Sequence, residues 1–374
     1  MPPPPVLMEE LVEEILLRVP PTEPATLVRA ALVCRPWRSL VSGAGFRRQY
    51  REFRRRAPPM LGVLCNNYGN RRTHFGSYLS RFVPTSSFRA SVCGGYRTLE
   101  ARHGRVLLRR RMMGNSKPCD LIVWDPVMDE RWQLTKEEGP VWFHWNAAVL
   151  CARAGACDHL DCGGGPFIVV TLGIHNRNST MSLCIYSSED GSWTKPTYVA
   201  WADEYGNVDE EPTALVGNTL YFRIKNGTRV LGYDLTTRET YVVQLPPKDE
   251  DSTTTLITVE GGGLGVAILH LDETTKLSLW SMEASPNGDM GWIKFRAIEL
   301  EKLLSVDARS INYHMVGFAH CIGVFIVETD DGLFSFHRRF HRVRKVCEAE
   351  AEECNDRGIC SVVPYMSFCT PGFA

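Results

Sequence analysis

The residues of this chain best suited to chemistry are a cluster of thiols and an imidazole near its middle. Cys151, Cys157, His159 and Cys162 offer the sulfur and nitrogen ligands that zinc prefers. Their spacing, C-x5-C-x-H-x2-C, matches no common closed zinc site, and Gly163–Gly165 indicates a loop. The sequence therefore predicts no metal at this cluster.

Groups that could act as catalysts elsewhere have ordinary explanations. The chain contains no G-x-S-x-G elbow, H-E-x-x-H pair, P-loop or G-x-G-x-x-G turn. The carboxylates of Asp209–Glu211 lie in a polar loop, and His144 lies in an aromatic strand-like segment. Gly261–Gly265 lacks the lysine and the helix of a phosphate-binding loop and is typical of a hairpin turn. We therefore expect neither an active site nor a cofactor.

Composition indicates a globular intracellular protein. The 374 residues have a net charge of −1, with 44% hydrophobic and 23% charged residues. The thirteen cysteines are scattered, which favours reduced thiols and a cytoplasmic or nuclear location. The Pro-rich start lacks the features of a signal peptide, and no apolar run approaches the roughly 20 residues that span a bilayer. We expect residues 1–6 to be a disordered tip.

From about residue 60 the chain reads as a series of short strands punctuated by turns. Five strand-like segments carry an aromatic residue at a comparable place, with steps of 62, 47, 47 and 56 residues: Trp124, Tyr186, Tyr233, Trp280 and Phe336. The long first step contains the loop at 154–165, which fits an insertion. A repeat of about 47 residues with four short strands is typical of a β-propeller blade.

The two ends of this region supply material for one more blade. Leu61–Leu64 and Arg81–Pro84 begin it, and Cys360–Tyr365 ends it. Sharing one blade would close the ring and remove its open edges. The sequence therefore predicts a six-bladed β-propeller, with a two-sheet β-sandwich carrying extra hairpins as the alternative.

The first 58 residues differ in pattern and predict short helices. Leu11, Val12, Ile15, Leu16 and Val19 share one helical stripe, opposite four glutamates. A second helix is expected from Thr22 or Glu23 to Val33, with Thr22 as its cap, and a third over 35–40. A basic run follows: Arg47, Arg48, Arg51, Arg54, Arg55 and Arg56. This run predicts a solvated or partner-facing helix over 46–58; no nucleic-acid motif accompanies it. Three short helices make a marginal core, so surplus apolar surface favours a partner.

The N-terminal residues resemble the F-box. The family pattern, L-P-x-[DE]-L-x-x-E-I-L-x-R-L-P followed by V-C-[KR]-x-W-x-x-L, matches here from Leu7 to Leu40. The chain departs from it at Met8, Val19 and Pro36. The β region, through segments such as 81–86 and 124–126, resembles the propeller-like regions of plant F-box proteins, especially those of grasses.

This resemblance implies a non-catalytic substrate receptor of an Skp–cullin–F-box ubiquitin ligase. An F-box at 7–45 would bind an Skp-family adaptor, and through it a cullin–RING ligase. The β domain at 59–374 would bind an unidentified target protein. The implied docking or docking-support residues are Leu7, Leu11, Ile15, Leu16, Leu27, Val33 and Trp37. The alternatives are a propeller scaffold whose helices pack in cis and recruit no ligase, and, disfavoured by the missing motifs, a propeller hydrolase.

Overall fold

The fold is a short helical region followed by an all-β domain. The computed structural model describes residues 8–54, 57–68, 78–92, 95–110, 120–134, 142–153, 157, 159, 162, 164–175, 180–199, 207–224, 228–249, 252–271, 275–285, 287–307, 310–340, 342–348 and 359–369. The tip expected at 1–6, and Leu7, lie outside these residues. None of the helices within them has the length and apolar character needed to cross a membrane.

Four helices form the N-terminal region: α1 (Glu9–Leu17), α2 (Pro24–Val33), α3 (Arg35–Ser42) and α4 (Ala44–Arg54). Helix α1 stops before Val19 because the residue preceding a proline, here Pro20, disfavours the helical conformation. Extended backbone at Cys34 separates α2 from α3. Pro36 is accommodated in the first turn of α3, where its missing N–H costs nothing. The basic helix expected over 46–58 is α4, and residues 57–59 are not helical.

The cap predicted for α2 is wrong. Glu23, not Thr22, is the N-cap residue, and no side chain caps the helix. The carbonyl of Thr22 instead accepts a hydrogen bond from the N–H of Ser87, and Ser87 Oγ accepts one from the N–H of Ala25. The start of α2 is therefore fixed by the β domain instead of by its own cap.

Six antiparallel sheets follow, one for each blade. Blade 1 consists of β3 (Tyr96–Arg102), β4 (Arg105–Arg110), β5 (Leu121–Asp125) and β6 (Glu130–Leu134). Blade 2 consists of β7 (Trp142–Cys151), β8 (Phe167–His175), β9 (Met181–Ser187), β10 (Ser192–Trp193) and β11 (Thr197–Val199). Blade 3 consists of β12 (Ala214–Val216), β13 (Thr219–Ile224), β14 (Arg229–Asp234) and β15 (Thr240–Gln244). Blade 4 consists of β16 (Thr253–Thr258), β17 (Leu264–Leu271), β18 (Thr275–Ala284) and β19 (Met290–Glu299).

A short helix, α5 (Leu300–Leu304), leads into blade 5. That blade consists of β20 (Ile311–Ala319), β21 (Val324–Thr329), β22 (Gly332–His337) and β23 (Val343–Glu348). Each of the five aromatic residues that marked the repeat lies on the third strand of its blade: Trp124, Tyr186, Tyr233, Trp280 and Phe336. The insertion predicted in the long first step is the connection between β7 and β8.

Blade 6 joins the two ends of the β domain, as predicted. Strand β1 (Met60–Tyr68) pairs on one side with β2 (Tyr78–Pro84) and on the other with β24 (Ile359–Met366). Strand β24 is innermost, and it adjoins β3 of blade 1 and β20 of blade 5. A closed ring of six sheets replaces the sandwich alternative.

A buried asparagine fixes this closure. The Nδ2 of Asn66 on β1 donates to the carbonyl of Thr98 (2.8 Å) on β3 and to Ser361 Oγ (2.6 Å) on β24. Its Oδ1 accepts from the N–H of Thr98 (2.9 Å) and from the hydroxyl of Ser80 on β2. Because a buried amide left without partners is costly, these bonds favour one register between the chain ends and blade 1.

Candidate adaptor-binding surface and propeller cavity

One strip of helix α1 is apolar and faces solvent. Met8, Leu11 and Ile15 are 65%, 42% and 55% exposed, and their spacing places them on adjacent turns of one face. Val12 and Leu16, on the neighbouring strip, are buried. The wide apolar stripe predicted from the sequence thus consists of two parallel strips. One strip is buried in the fold, and the other is exposed to solvent.

The buried half belongs to a core shared between the helices and the chain end. Leu27, Ala31, Val41, Phe46 and Tyr50 pack with Val12 and Leu16, and so does Phe368, which follows β24. The hydroxyl of Tyr50 donates to the carbonyl of Val19 (2.8 Å), which ties α4 to the end of α1. The β domain therefore completes the small helical core without covering the exposed strip.

A second exposed apolar pair lies at the carboxyl end of α2. Leu32 and Val33 are both exposed, although Ala30 and Ala31 beside them are buried. A helix that ends in two exposed branched side chains has apolar surface beyond what its own core can use.

A large cavity lies between the helical region and the inner strands of the propeller. Its volume is about 570 Å³, and its lining includes residues of α4 and the segment after it, the β3–β4 turn, the β7–β8 connection, the β20–β21 turn and the end of β24. One lining residue from each of these elements, in the same order, is Arg47, Gly104, Cys162, His320 and Phe368. The cavity is therefore partly closed by the helical region.

A charged group inside this cavity is held by structural partners. Glu100 Oε1 forms an ion pair with Arg102 Nε (3.1 Å), and the hydroxyl of Thr213 donates a hydrogen bond to the other carboxylate oxygen. Arg102 Nη2 also donates to the carbonyl of Thr213 (2.9 Å), which links blade 1 to the start of blade 3. Burial raises the pKa of the Glu100 carboxyl, and the neighbouring Arg102 opposes that rise.

Two histidines at the cavity are held neutral. Burial, together with nearby Arg102, lowers the pKa of His103 to about 2. Burial, with Arg102 and Arg338 adding to it, lowers the pKa of His320 to about 3. A general base near neutral pH needs a pKa close to the working pH, and these two are far from it. Neither histidine is therefore poised to act as a general base near neutral pH.

The thiols and imidazole considered from the sequence meet at one edge of the cavity. The ligand atoms of Cys151, Cys157, His159 and Cys162 all lie within 4.8 Å of one another. Among the residues that the structure describes, this is the one such group of metal-ligating side chains.

Comparison with known protein families agrees with this architecture. Residues 7–49 match the F-box domain family, and residues 99–373 match the family described as "F-box protein AT5G49610-like, beta-propeller". The second match covers more than half of the chain. This protein belongs to that family of F-box β-propeller proteins. The resemblance predicted from the sequence is confirmed.

Solved structures give weaker likenesses to this F-box β-propeller protein. The Cps50 (Swd1) β-propeller domain of Myceliophteria thermophila is 12% identical with a TM-score of 0.37, over 69% of this chain and 87% of that one. TolB from Acinetobacter baumannii is 12% identical with a TM-score of 0.43, over 77% and 64%. Oligogalacturonate lyase from Vibrio parahaemolyticus is 9% identical with a TM-score of 0.37, over 78% and 81%. Likenesses this weak support no inference about function. No curated protein sequence matches the chain.

The residues that the resemblance implied for docking occupy three kinds of position in this F-box. Leu11, Ile15 and Val33 are exposed. Leu16 and Leu27 are buried, and Trp37 is half-buried against the helical core. Leu7 lies outside the described residues. Reasoning from the sequence missed Met8 and Leu32, which are exposed beside them; their apolar character at helix ends was the available signal.

An F-box joined to a propeller supports a general role as a substrate adaptor of Skp–cullin–F-box ubiquitin ligases. The same organisation suggests a non-catalytic receptor.

Proposed function

We propose that this protein is the substrate receptor of an Skp–cullin–F-box ubiquitin ligase and binds an Skp-family adaptor through its exposed apolar helical surface. The contact residues are Met8, Leu11, Ile15, Leu32 and Val33. Leu16, Leu27 and Trp37 support them from the core, and Leu7, which the family pattern also assigns to docking, lies outside the described residues. The observation that carries the proposal is the F-box match together with the exposed strip of α1, which the chain's own core leaves uncovered.

The domain roles follow the boundaries expected from the sequence. Residues 7–45 serve as the adaptor-binding F-box, the basic segment 46–58, which contains most of α4, connects it to the β domain, and residues 59–374 serve as the target receptor. The receptor positions the target protein and does not itself catalyse a reaction, because holding the target beside the ligase raises the effective concentration of the target's lysines. No cofactor is needed for this role, and the working compartment is the cytoplasm or the nucleus.

Exposed apolar side chains on the outer strands of blades 3 and 4 are the proposed target surface. Tyr241 and Val242 lie on β15, and Ile293 and Phe295 lie on β19; all four are exposed. Both strands are the outer strands of their blades. The indole of Trp292 on β19 donates to the carbonyl of Gln244 on β15 (2.6 Å), so the two outer strands adjoin. Exposed apolar groups of this size on neighbouring outer strands favour a role in protein binding.

The adaptor proposal is tested by the double variant Leu11→Asp/Ile15→Asp. Both side chains are exposed in the free chain, so the charges should leave folding almost unchanged. Buried in an interface without partners, they cost several kcal/mol, and we expect the affinity for a purified Skp-family adaptor to fall more than about 100-fold. Isothermal calorimetry or biolayer interferometry on the full-length chain measures this change.

The matched control is Val242→Asp/Ile293→Asp, which adds the same charge at residues 48% and 50% exposed. We expect the control to bind adaptor like wild type and to lose ubiquitin modification of its targets in cells. Adaptor affinity that is equal in both double variants would contradict the α1 surface. Wild-type protein that binds no adaptor would favour the scaffold alternative, since the contacts between Phe368 and the helices already pack them in cis.

A further inference from the structure

The connection between β7 and β8 brings four ligand side chains into contact distance. Cys151 ends β7, and Cys157, His159 and Cys162 follow it before β8 begins at Phe167. Cys162 Sγ lies 3.6 Å from Cys157 Sγ and 3.6 Å from His159 Nδ1.

These separations fit the edges of a zinc tetrahedron. With Zn–S bonds of about 2.3 Å and Zn–N bonds of about 2.0–2.1 Å, tetrahedral geometry places two sulfurs about 3.8 Å apart and a sulfur about 3.6 Å from a nitrogen. A disulfide would need about 2.05 Å between sulfurs, and both Cys157 and Cys162 are free thiols. The two separations at Cys162 therefore match edges of such a tetrahedron, and all four ligand atoms lie within 4.8 Å of one another.

A buried arginine beside the cluster supplies an independent indication. Arg105 is completely buried, and its Nη2 donates to the carbonyl of Cys162 (2.6 Å). Its Nε and Nη1 have no hydrogen-bond partner among the described residues. A buried cation needs compensating negative charge, and the groups whose charges act on Arg105 are the Asp125 carboxyl and the thiols of Cys151, Cys157 and Cys162. Three thiolates and a neutral imidazole around Zn²⁺ carry a net charge of −1, which would act on the guanidinium together with Asp125.

Neighbouring groups also hold the ligands in position. The N–H of His159 donates to Cys157 Sγ (3.4 Å), a bond that a thiolate would strengthen. The ring of His103 stacks on the ring of His159 with centroids 4.0 Å apart, and its Nδ1 accepts from the N–H of Cys151 (3.2 Å). Such outer contacts orient the ligands of metal sites.

We propose that Cys151, Cys157, His159 and Cys162 bind one structural zinc ion. The site uses four protein ligands and leaves no open position, so the ion has a structural role. His159 and Cys162 also line the cavity, and the ion therefore fixes the wall that the β7–β8 connection contributes. The spacing in the sequence argued against a metal because one ligand, Cys151, belongs to a strand, and its distance from the others depends on how that strand pairs with β8.

The test is the zinc content of the full-length chain purified under reducing conditions without chelator. Inductively coupled plasma mass spectrometry should find about one zinc ion per chain. A second measurement is direct: replacement with Co²⁺ should give the visible absorption of a tetrahedral site with thiolate ligands. Wild-type protein with neither stoichiometric zinc nor this absorption would overturn the proposal.

Variants assign the ligands. Cys157→Ser should lower zinc affinity by at least about 100-fold in competition with a chelator, because loss of an outer contact alone costs 10- to 100-fold. Cys347→Ser, which alters another half-buried thiol, is the matched control and should keep its zinc. His159→Cys should retain zinc in a four-thiolate site and guards against a simple folding defect. Equal zinc retention in Cys157→Ser and Cys347→Ser would refute the assignment, and so would a Cys157–Cys162 disulfide in the reduced preparation.

Discussion

Replacing Tyr365 with alanine should remove a large part of the stability of the propeller. Tyr365 lies on β24, the strand that closes the ring, and its side chain is fully buried. It packs with Leu61, Trp124 and the other members of one core cluster, so its ring connects the chain end to blades 6 and 1.

The size of the effect follows from these contacts. The ring lies against Phe82 and Phe88, with centroids 6.3 and 6.2 Å away, and its hydroxyl donates to the carbonyl of Gly104 (3.1 Å). Truncation of a buried aromatic ring costs about 3–5 kcal/mol, and a buried carbonyl left without its donor costs about 1 kcal/mol more. We expect the free energy of unfolding to fall by about 5 kcal/mol, which for a domain of this size corresponds to a drop of about 10 °C in Tm.

Thermal unfolding followed by circular dichroism measures this drop. Tyr365→Phe keeps the ring and loses one hydrogen bond, so its Tm should fall by only about 2–3 °C. Tyr198→Ala is the matched control, since Tyr198 is 65% exposed, and its Tm should stay close to wild type. If Tyr365→Ala unfolded at the same temperature as Tyr198→Ala, the argument that β24 secures the ring would be wrong. Deletion of residues 359–374 is the extreme form of the same change and should give insoluble protein.

Two further predictions concern the helical core and pH. Phe368→Ala should destabilise α1–α4 by about 3–4 kcal/mol while the blades stay folded, because Phe368 belongs to the helical core. Amide hydrogen exchange should then become faster in the helices only. Phe340→Ala, which alters an exposed residue, is the control and should leave the exchange unchanged. The pKa of His320 is about 3 in the folded chain, and its ordinary value is 6.5. Below pH 6.5 the unfolded chain therefore binds a proton at His320 that the folded chain does not bind. The free energy of unfolding should therefore decrease as the pH falls from 7 to 5, and in His320→Gln this decrease should be about 2 kcal/mol smaller than in the wild type. The same pH dependence in both proteins would show that His320 is not desolvated.

The repeat pattern of the sequence was enough to predict the blades. Period-two alternation places side chains on alternating faces of a strand, and the aromatic residues from Trp124 to Phe336 recur at equivalent places because each blade packs on the next in the same way. The closure of the ring was also predictable, since the leftover segments at 61–84 and 360–365 had no other sheet to join. The F-box could be recognised because its helices carry a fixed order of apolar and charged residues.

The tertiary structure alone decided which half of the α1 stripe is buried. Val12 and Leu16 differ little from Leu11 and Ile15 in sequence, and only the positions of Leu27, Phe46 and the distant Phe368 separate the two pairs. The same limit applies to the thiol cluster. Periodicity reports which face of a helix or strand is apolar, but which residues meet depends on contacts between segments far apart in the chain. The β7–β8 pairing that places Cys151 beside Cys162, and the packing that places Arg105 against Cys162, are contacts of this kind.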